Sequence, residues 1–284
     1  MGQHEAANVY AFSRAIDNRR GQASHTWHAP DLLFSKTLVQ APGVTQLSSA
    51  TVPDRKTLTL ASVCAAGCIV LVAALLLDQP VIAAAAKLTA SSAFVLMAVS
   101  AGALASGYGS VILTGLVLSW FGDAFLIGTS QHWFLLGLAS FFLAHVAYAT
   151  AFVSLGAARR WVLVAIVPVL AIAAVVLLWL QPHVPPELIW PVRFYTAVIS
   201  LMVITALGTL GAGATPLIAV GACLFYLSDL SVAALRFTET PFPTYVLGLP
   251  LYYTAQICLA LSIRASSNRY PSKASRRNAP PGSR

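Results

Sequence analysis

The stretch "LSWFGDAFL" (residues 118–126) decides how the chain is read. It closes an apolar run that begins near residue 107, yet it carries a bare carboxylate, Asp123. If that run crosses a bilayer, the acid costs at least ~2.5 kcal/mol to insert. The rest of the chain must then explain why it is there.

The composition answers the first half of that question. Of 284 residues, 58% are hydrophobic and only 9% are charged, whereas a typical soluble domain carries about 25% charged residues. Such a chain cannot cover a water-facing surface. On either side of residues 118–126, apolar segments recur at roughly 57–77, 80–102, 107–127, 133–154, 161–181, 189–210, 214–235 and 243–263. Each is close to the length that a bilayer core requires. In lipid their backbone groups have no other partners, so each must be a helix. The expected fold is all-α: a polytopic membrane protein of eight transmembrane helices, with short loops that make sequential helices antiparallel neighbours.

Charge placement predicts an orientation. Residues 1–56 hold Arg14, Arg19, Arg20, Lys36, Arg55 and Lys56, and the end of the chain holds Arg264, Arg269, Lys273, Arg276, Arg277 and Arg284. The loop "AARRW" (157–161) adds Arg159 and Arg160, while the loops expected on the other side carry Asp78, Glu187 and Glu239. Basic loops stay cytoplasmic, so both termini are expected inside, in a bacterial cytoplasmic membrane. A nucleic-acid partner is not expected, because the basic residues flank the apolar region instead of forming a folded basic face. Residues 1–56 read as a flexible cytoplasmic lead without a signal-peptide core. Residues 57–263 read as the transmembrane domain, and residues 264–284 as a disordered basic tail. Cys64, Cys68, Cys223 and Cys258 all lie in apolar runs and read as packing residues. Neither a disulfide, a metal nor a cofactor is expected. Gly107 and Gly109 in "SGYGS" read as turn residues.

Asp123 is one of several intramembrane charges. Following the chain direction at about 1.5 Å per residue, Lys87, Asp123, Arg193, Asp229 and Arg236 fall in one layer, the outer half of the membrane. They must face one another or a wet cavity. A structural charge cluster that orients helices is the plain alternative. His145 and Tyr148 in "FLAHVAYATAF" (142–152) stand three apart and share a helix face, and Tyr252, Tyr253 and Gln256 decorate the last span. A lone histidine in an apolar helix is often a hydrogen-bonded packing residue, and the tyrosines could be interfacial.

An internal repeat is also expected. Lys87 and Arg193 are 106 residues apart, and so are Asp123 and Asp229. Spans one to four would correspond to spans five to eight as a parallel four-plus-four duplication about an axis along the membrane normal.

Two carboxylates at one depth can divide labour, one staying protonated as an acid and the other ionised as a base. Pairs of this kind cleave acetal-like bonds through oxocarbenium-like states. A lysine or arginine at the same level could hold a lipid phosphate.

Four motifs then carry a resemblance: "FGDAFL" (121–126), "FLAHVAYATAF" (142–152), "YLSDLSVAALRF" (226–237) and "YYTAQICLA" (252–260). Together, over about residues 80–263, the chain resembles the YhhN-like lysoplasmalogenase family of integral membrane proteins. The resemblance implies an eight-helix hydrolase that splits the vinyl ether of lysoplasmalogens. The products would be a fatty aldehyde and glycerophosphoethanolamine or glycerophosphocholine. It implies a lysophospholipid substrate met in the bilayer, with Asp123 and Asp229 as the two catalytic acids. His145, Tyr148, Arg236 and Gln256 match polar positions of the pocket. Lys87 matches a basic position that the family follows with proline, where this chain has Leu88. Arg193, Tyr252 and Tyr253 complete the expected substrate-binding set on the residue reading alone. A proton-coupled transporter of a small anion or lipid is the alternative, since it too would hold Asp, His and basic residues at mid-depth.

Overall fold

A computed structural model describes residues 54–267, so the expectations for the lead before residue 54 and for the tail after residue 267 lie outside the described residues. The described chain is all helical, and among these residues there is no strand. Eight long helices follow one another: α1 (Arg55–Leu76), α2 (Pro80–Ser100), α3 (Gly107–Phe125), α4 (Gln131–Ser154), α5 (Arg159–Leu180), α6 (Ile189–Gly211), α7 (Pro216–Phe237) and α8 (Tyr245–Ser267). All eight are long and apolar enough to cross a membrane, and the protein is an integral membrane protein.

The helix ends follow capping chemistry. Asp54 accepts the Thr57 N–H at 3.0 Å to start α1. The hydrogen bonds from Thr57, aided by Arg264, hold the Asp54 carboxyl below its usual range. Ser106 caps α3 through the Gly109 N–H at 3.0 Å, so Gly107 and Gly109 belong to the first turn of a helix and not to a loop. A serine N-cap offers the backbone a start signal that outweighs the low helix propensity of the two glycines. Pro80 and Pro216 sit in the first turns of α2 and α7, where the missing N–H costs nothing. Gly156 and Gly213, just beyond α4 and α6, have φ of 92° and 79°, the left-handed conformation that closes a helix C-terminus.

The helices pack as antiparallel hairpins, α1 on α2, α3 on α4, α5 on α6 and α7 on α8. Further seams, α4 on α6 and α8 on α1, α2 and α3, join the first four helices to the last four. Small residues permit the close approaches. A Cβ at Gly67 would meet Ala90 at 2.9 Å, and one at Gly122 would press on the Phe141 ring at 2.6 Å. In lipid, where apolar surface gains nothing by leaving the solvent, such close packing is what holds helices together. Large apolar side chains stay exposed around the periphery, among them Leu77, Val81, Val164 and Val167. These are the lipid-facing surface. At one end of the bundle, Arg264 of α8 lies 3.4 Å from Asp54 at the start of α1. That end carries both termini of the described chain.

Candidate active site

At the opposite end, the helices leave a cavity of about 670 Å³. Its walls come from the C-terminal ends of α1, α3, α5 and α7 and the N-terminal ends of α2, α4, α6 and α8. Leu71, Leu75, Leu126, Leu138, Val176 and Leu180 make much of it apolar. Lys87, Asp123, Tyr195, Asp229, Arg236 and Tyr252 supply the polar surface. The two aspartates, 106 residues apart in sequence, therefore line one chamber.

Each carboxylate is held by hydroxyl groups. The Asp123 residue is 3% exposed. Its Oδ2 accepts from Tyr252 Oη at 2.7 Å and from Ser91 Oγ at 2.5 Å. Ser91 Oγ also lies 2.9 Å from the Lys87 carbonyl, but it has a single hydrogen to give, and the shorter contact is to the carboxylate. Lys87 is near enough for its charge to act on Asp123. Asp229 is more open. Its Oδ2 accepts from Tyr195 Oη at 2.7 Å and lies 3.2 Å from His145 Nε2. Both acids are thus tied to residues whose positions rigid helices fix.

The two arrangements mirror each other. Asp123 on α3 is bonded by α2 of its own half and by α8 of the other half. Asp229 on α7 is bonded by α6 of its own half and by α4 of the other half.

The remaining expected site residues fall into three groups. Tyr148 and Gln256 sit behind the chamber, fully buried. Tyr148 Oη donates to Gln256 Oε1 at 3.0 Å and meets Ser119 Oγ at 3.2 Å. Tyr253 backs on Ser91, with its hydroxyl 3.5 Å from Ser91 Oγ and 3.4 Å from the Lys87 carbonyl. Arg236 lies on the chamber wall with its guanidinium 4.6 Å over the Phe134 ring. Arg193 is not brought to the chamber. It is exposed on α6, 5.3 Å from the Trp190 ring. Two residues earlier or later on a helix is nearly the opposite face, and it is Tyr195, two positions on, that reaches Asp229.

Sequence reasoning missed Ser91 and Tyr195. Ser91 is four residues after Lys87 and shares its helix face, which was the available signal. A serine inside a membrane helix can satisfy itself on the preceding turn, so that spacing alone did not set it apart. Tyr195 was overshadowed by the neighbouring charge of Arg193.

Comparison with known proteins fits this arrangement. The model of the YhhN family matches residues 81–263, a stretch that includes every residue bonded to either aspartate. The chain is 34% identical over 157 residues to lysoplasmalogenase TMEM86A of Bos taurus and 37% identical over 157 residues to lysoplasmalogenase TMEM86A of Homo sapiens. Each of these alignments covers 53% of this chain and 64% of the relative, so the match spans somewhat less than two thirds of those relatives. It is 32% identical over 177 residues to lysoplasmalogenase TMEM86B of Sus scrofa, covering 62% of this chain and 72% of the relative. No solved structure matches the chain. With most of its membrane region matched by one family and both chamber aspartates inside that match, the chain belongs to the YhhN family.

Proposed function

We propose that the chain is a membrane hydrolase that cleaves the vinyl ether bond of lysoplasmalogens, releasing a fatty aldehyde and a glycerophospho-alcohol. The observation that carries this reading is the pair of aspartates lining one chamber of about 670 Å³. A chamber of this size falls in the ~300–1,000 Å³ range of small-molecule sites. Its apolar walls suit a hydrocarbon chain drawn from the bilayer. Lys87 and Arg236 on the same walls suit the phosphate of a lysophospholipid. The names of the relatives support the same substrate class.

The chemistry follows from the groups present. A vinyl ether becomes labile when an acid protonates its outer carbon and leaves an oxocarbenium ion. The second carboxylate of the chamber stabilises that cation and takes a proton from the water that adds to it. The hemiacetal then collapses to aldehyde and alcohol. Two acids lining one chamber supply both roles.

The mirrored bonding of Asp123 and Asp229 supports a four-plus-four duplication as the origin of the paired acids. The basic flanks, and Arg159 and Arg160 at the start of α5, support cytoplasmic termini, with the chamber toward the other face of a cytoplasmic membrane.

The test is purified protein in detergent, without a gradient, given lysoplasmenyl-ethanolamine or its saturated ether analogue. Aldehyde should appear from the vinyl ether alone, and Asp123→Asn and Asp229→Asn should each abolish its release while the protein remains folded. Full activity in either variant removes that acid from the mechanism. No turnover in the wild type would favour a transporter.

A further inference from the structure

The two acids differ in one respect that fixes their roles. Asp123 meets hydroxyl donors and the field of Lys87. Asp229 meets a hydroxyl and a histidine, and that histidine is itself constrained. His145 is fully buried. Its Nδ1 lies 3.2 Å from Met202 Sδ, and a thioether has no hydrogen to give. Nδ1 must therefore carry the ring hydrogen in that contact. On the other side, Nε2 lies 3.0 Å from Tyr195 Oη and 3.2 Å from Asp229 Oδ2. Tyr195 spends its only hydrogen on Asp229 at 2.7 Å. Both atoms facing Nε2 are then acceptors, unless Asp229 itself holds a proton. Whichever of the two carries it, one proton beyond the neutral histidine must lie between Nε2 and Asp229.

We infer that His145 and Asp229 together store the proton that Asp229 delivers to the substrate, while Asp123 is the ionised carboxylate that takes a proton from water. This assignment rests on the hydrolase reading for its delivery step. His145 does not line the chamber, so it is a positioning residue that acts through Asp229, and Met202 and Tyr195 fix its hydrogen pattern. The proton balance closes over one turnover. Asp229 gives the stored proton to the outer vinyl carbon, using the C=C electron pair, and the ether carbon becomes an oxocarbenium ion. Water bonds to that carbon and loses one hydrogen to Asp123. On collapse, Asp123 returns this hydrogen to the leaving alcohol oxygen. The hemiacetal hydroxyl loses its hydrogen to Asp229, which restores the stored proton as the aldehyde C=O forms. Each carboxylate donates once and accepts once, and no outside reductant or oxidant is needed.

Charged and titratable groups face this pair from several helices. Tyr195 faces it from α6 and Tyr148 lies one turn along α4 itself. Asp123 on α3, Lys87 on α2 and Arg236 on α7 line the same chamber as Asp229.

Two measurements on the full chain test the inference. In protein labelled with ¹⁵N-histidine, the resonances lost in His145→Gln identify the ring. The wild type should show hydrogen on Nδ1 near neutral pH, with a second proton on or shared at Nε2. A bare Nδ1 overturns the inference. In Asp229→Asn the shared proton should leave, and its persistence would also overturn it. In the aldehyde assay, His145→Gln should lower kcat near neutral pH by about 100-fold, within the range of general acid catalysis, and move KM by less than about threefold. The deficit should shrink as the pH falls, because bulk solvent then supplies the proton that the pair no longer stores. An equal loss at every pH would mean a merely structural histidine and would refute the delivery role. The nitrogen spectrum involves no substrate. An inactive wild type therefore sinks the hydrolase reading and its delivery step, whereas the spectrum alone decides the proton storage.

Discussion

At the scale of residues, a buried carboxylate is only as useful as the donors that hold it. Asp123 Oδ2 takes two hydroxyl hydrogen bonds from separate helices. A hydrogen bond to a charged group is worth ~1.5–3 kcal/mol, or about ten- to a hundredfold in rate if it is spent on the reacting carboxylate. Ser91→Ala should therefore cut kcat for aldehyde release by at least about tenfold. The adjacent Ser92→Ala is the control. Ser92 Oγ only accepts from Trp120 Nε1 at 3.1 Å, and its loss should leave the rate unchanged. Equal effects of the two changes would mean that the Ser91 contact does not serve Asp123. The sequence brought out the acids and His145 because a charge or an imidazole in an apolar helix is conspicuous. It could not bring out Ser91 and Tyr195, because small hydroxyl groups and tyrosines are ordinary residues of membrane helices, and only the packing of α2 on α3 and α6 on α7 brings them to the two acids.

At the scale of elements, helix boundaries were legible because hydropathy and bilayer length are strong constraints. The observed ends differ from the apolar segments by at most four residues, the largest shift being the end of α8 at Ser267. Helicity there continues past the apolar stretch, because Arg264 can extend a helix into water without cost and pairs with Asp54. What hydropathy does not encode is how closely two helices approach. Along the α3–α4 seam, Gly115 faces the ring of Tyr148 and Gly122 faces the ring of Phe141. A Cβ at Gly115 would fall well inside contact distance of that ring. Tyr148 is fully buried and holds Gln256 at 3.0 Å, so it has little room to move. Overpacking of this kind costs ~1–3 kcal/mol. Gly115→Ala should lower the thermal unfolding midpoint in detergent by several degrees and reduce aldehyde release through displacement of Tyr148 behind the chamber. An unchanged midpoint would show that the seam can open without strain.

At the scale of the whole molecule, the chamber gathers the ends of all eight helices away from the end that carries both ends of the described residues. The loop before α5 belongs to the terminal end too. It is held there by the Ala158 N–H on the Gly208 carbonyl at 3.0 Å, and Arg159 and Arg160 open α5 directly after it. The loop between α5 and α6, with Glu187, lies at the chamber end. Arginines in short loops resist translocation, so the terminal end should face the cytoplasm and the chamber should open toward the opposite leaflet. Impermeant maleimide on intact cells distinguishes the two orientations. Cysteines introduced at Glu187→Cys and Arg160→Cys are both exposed positions, while the native Cys64, Cys68 and Cys258 are buried and Cys223 is half-buried, which keeps the background low. Glu187→Cys should react from outside and Arg160→Cys only after the membrane is opened. The reverse pattern would put the acids in the cytoplasmic leaflet, and the substrate would then be drawn from that leaflet instead.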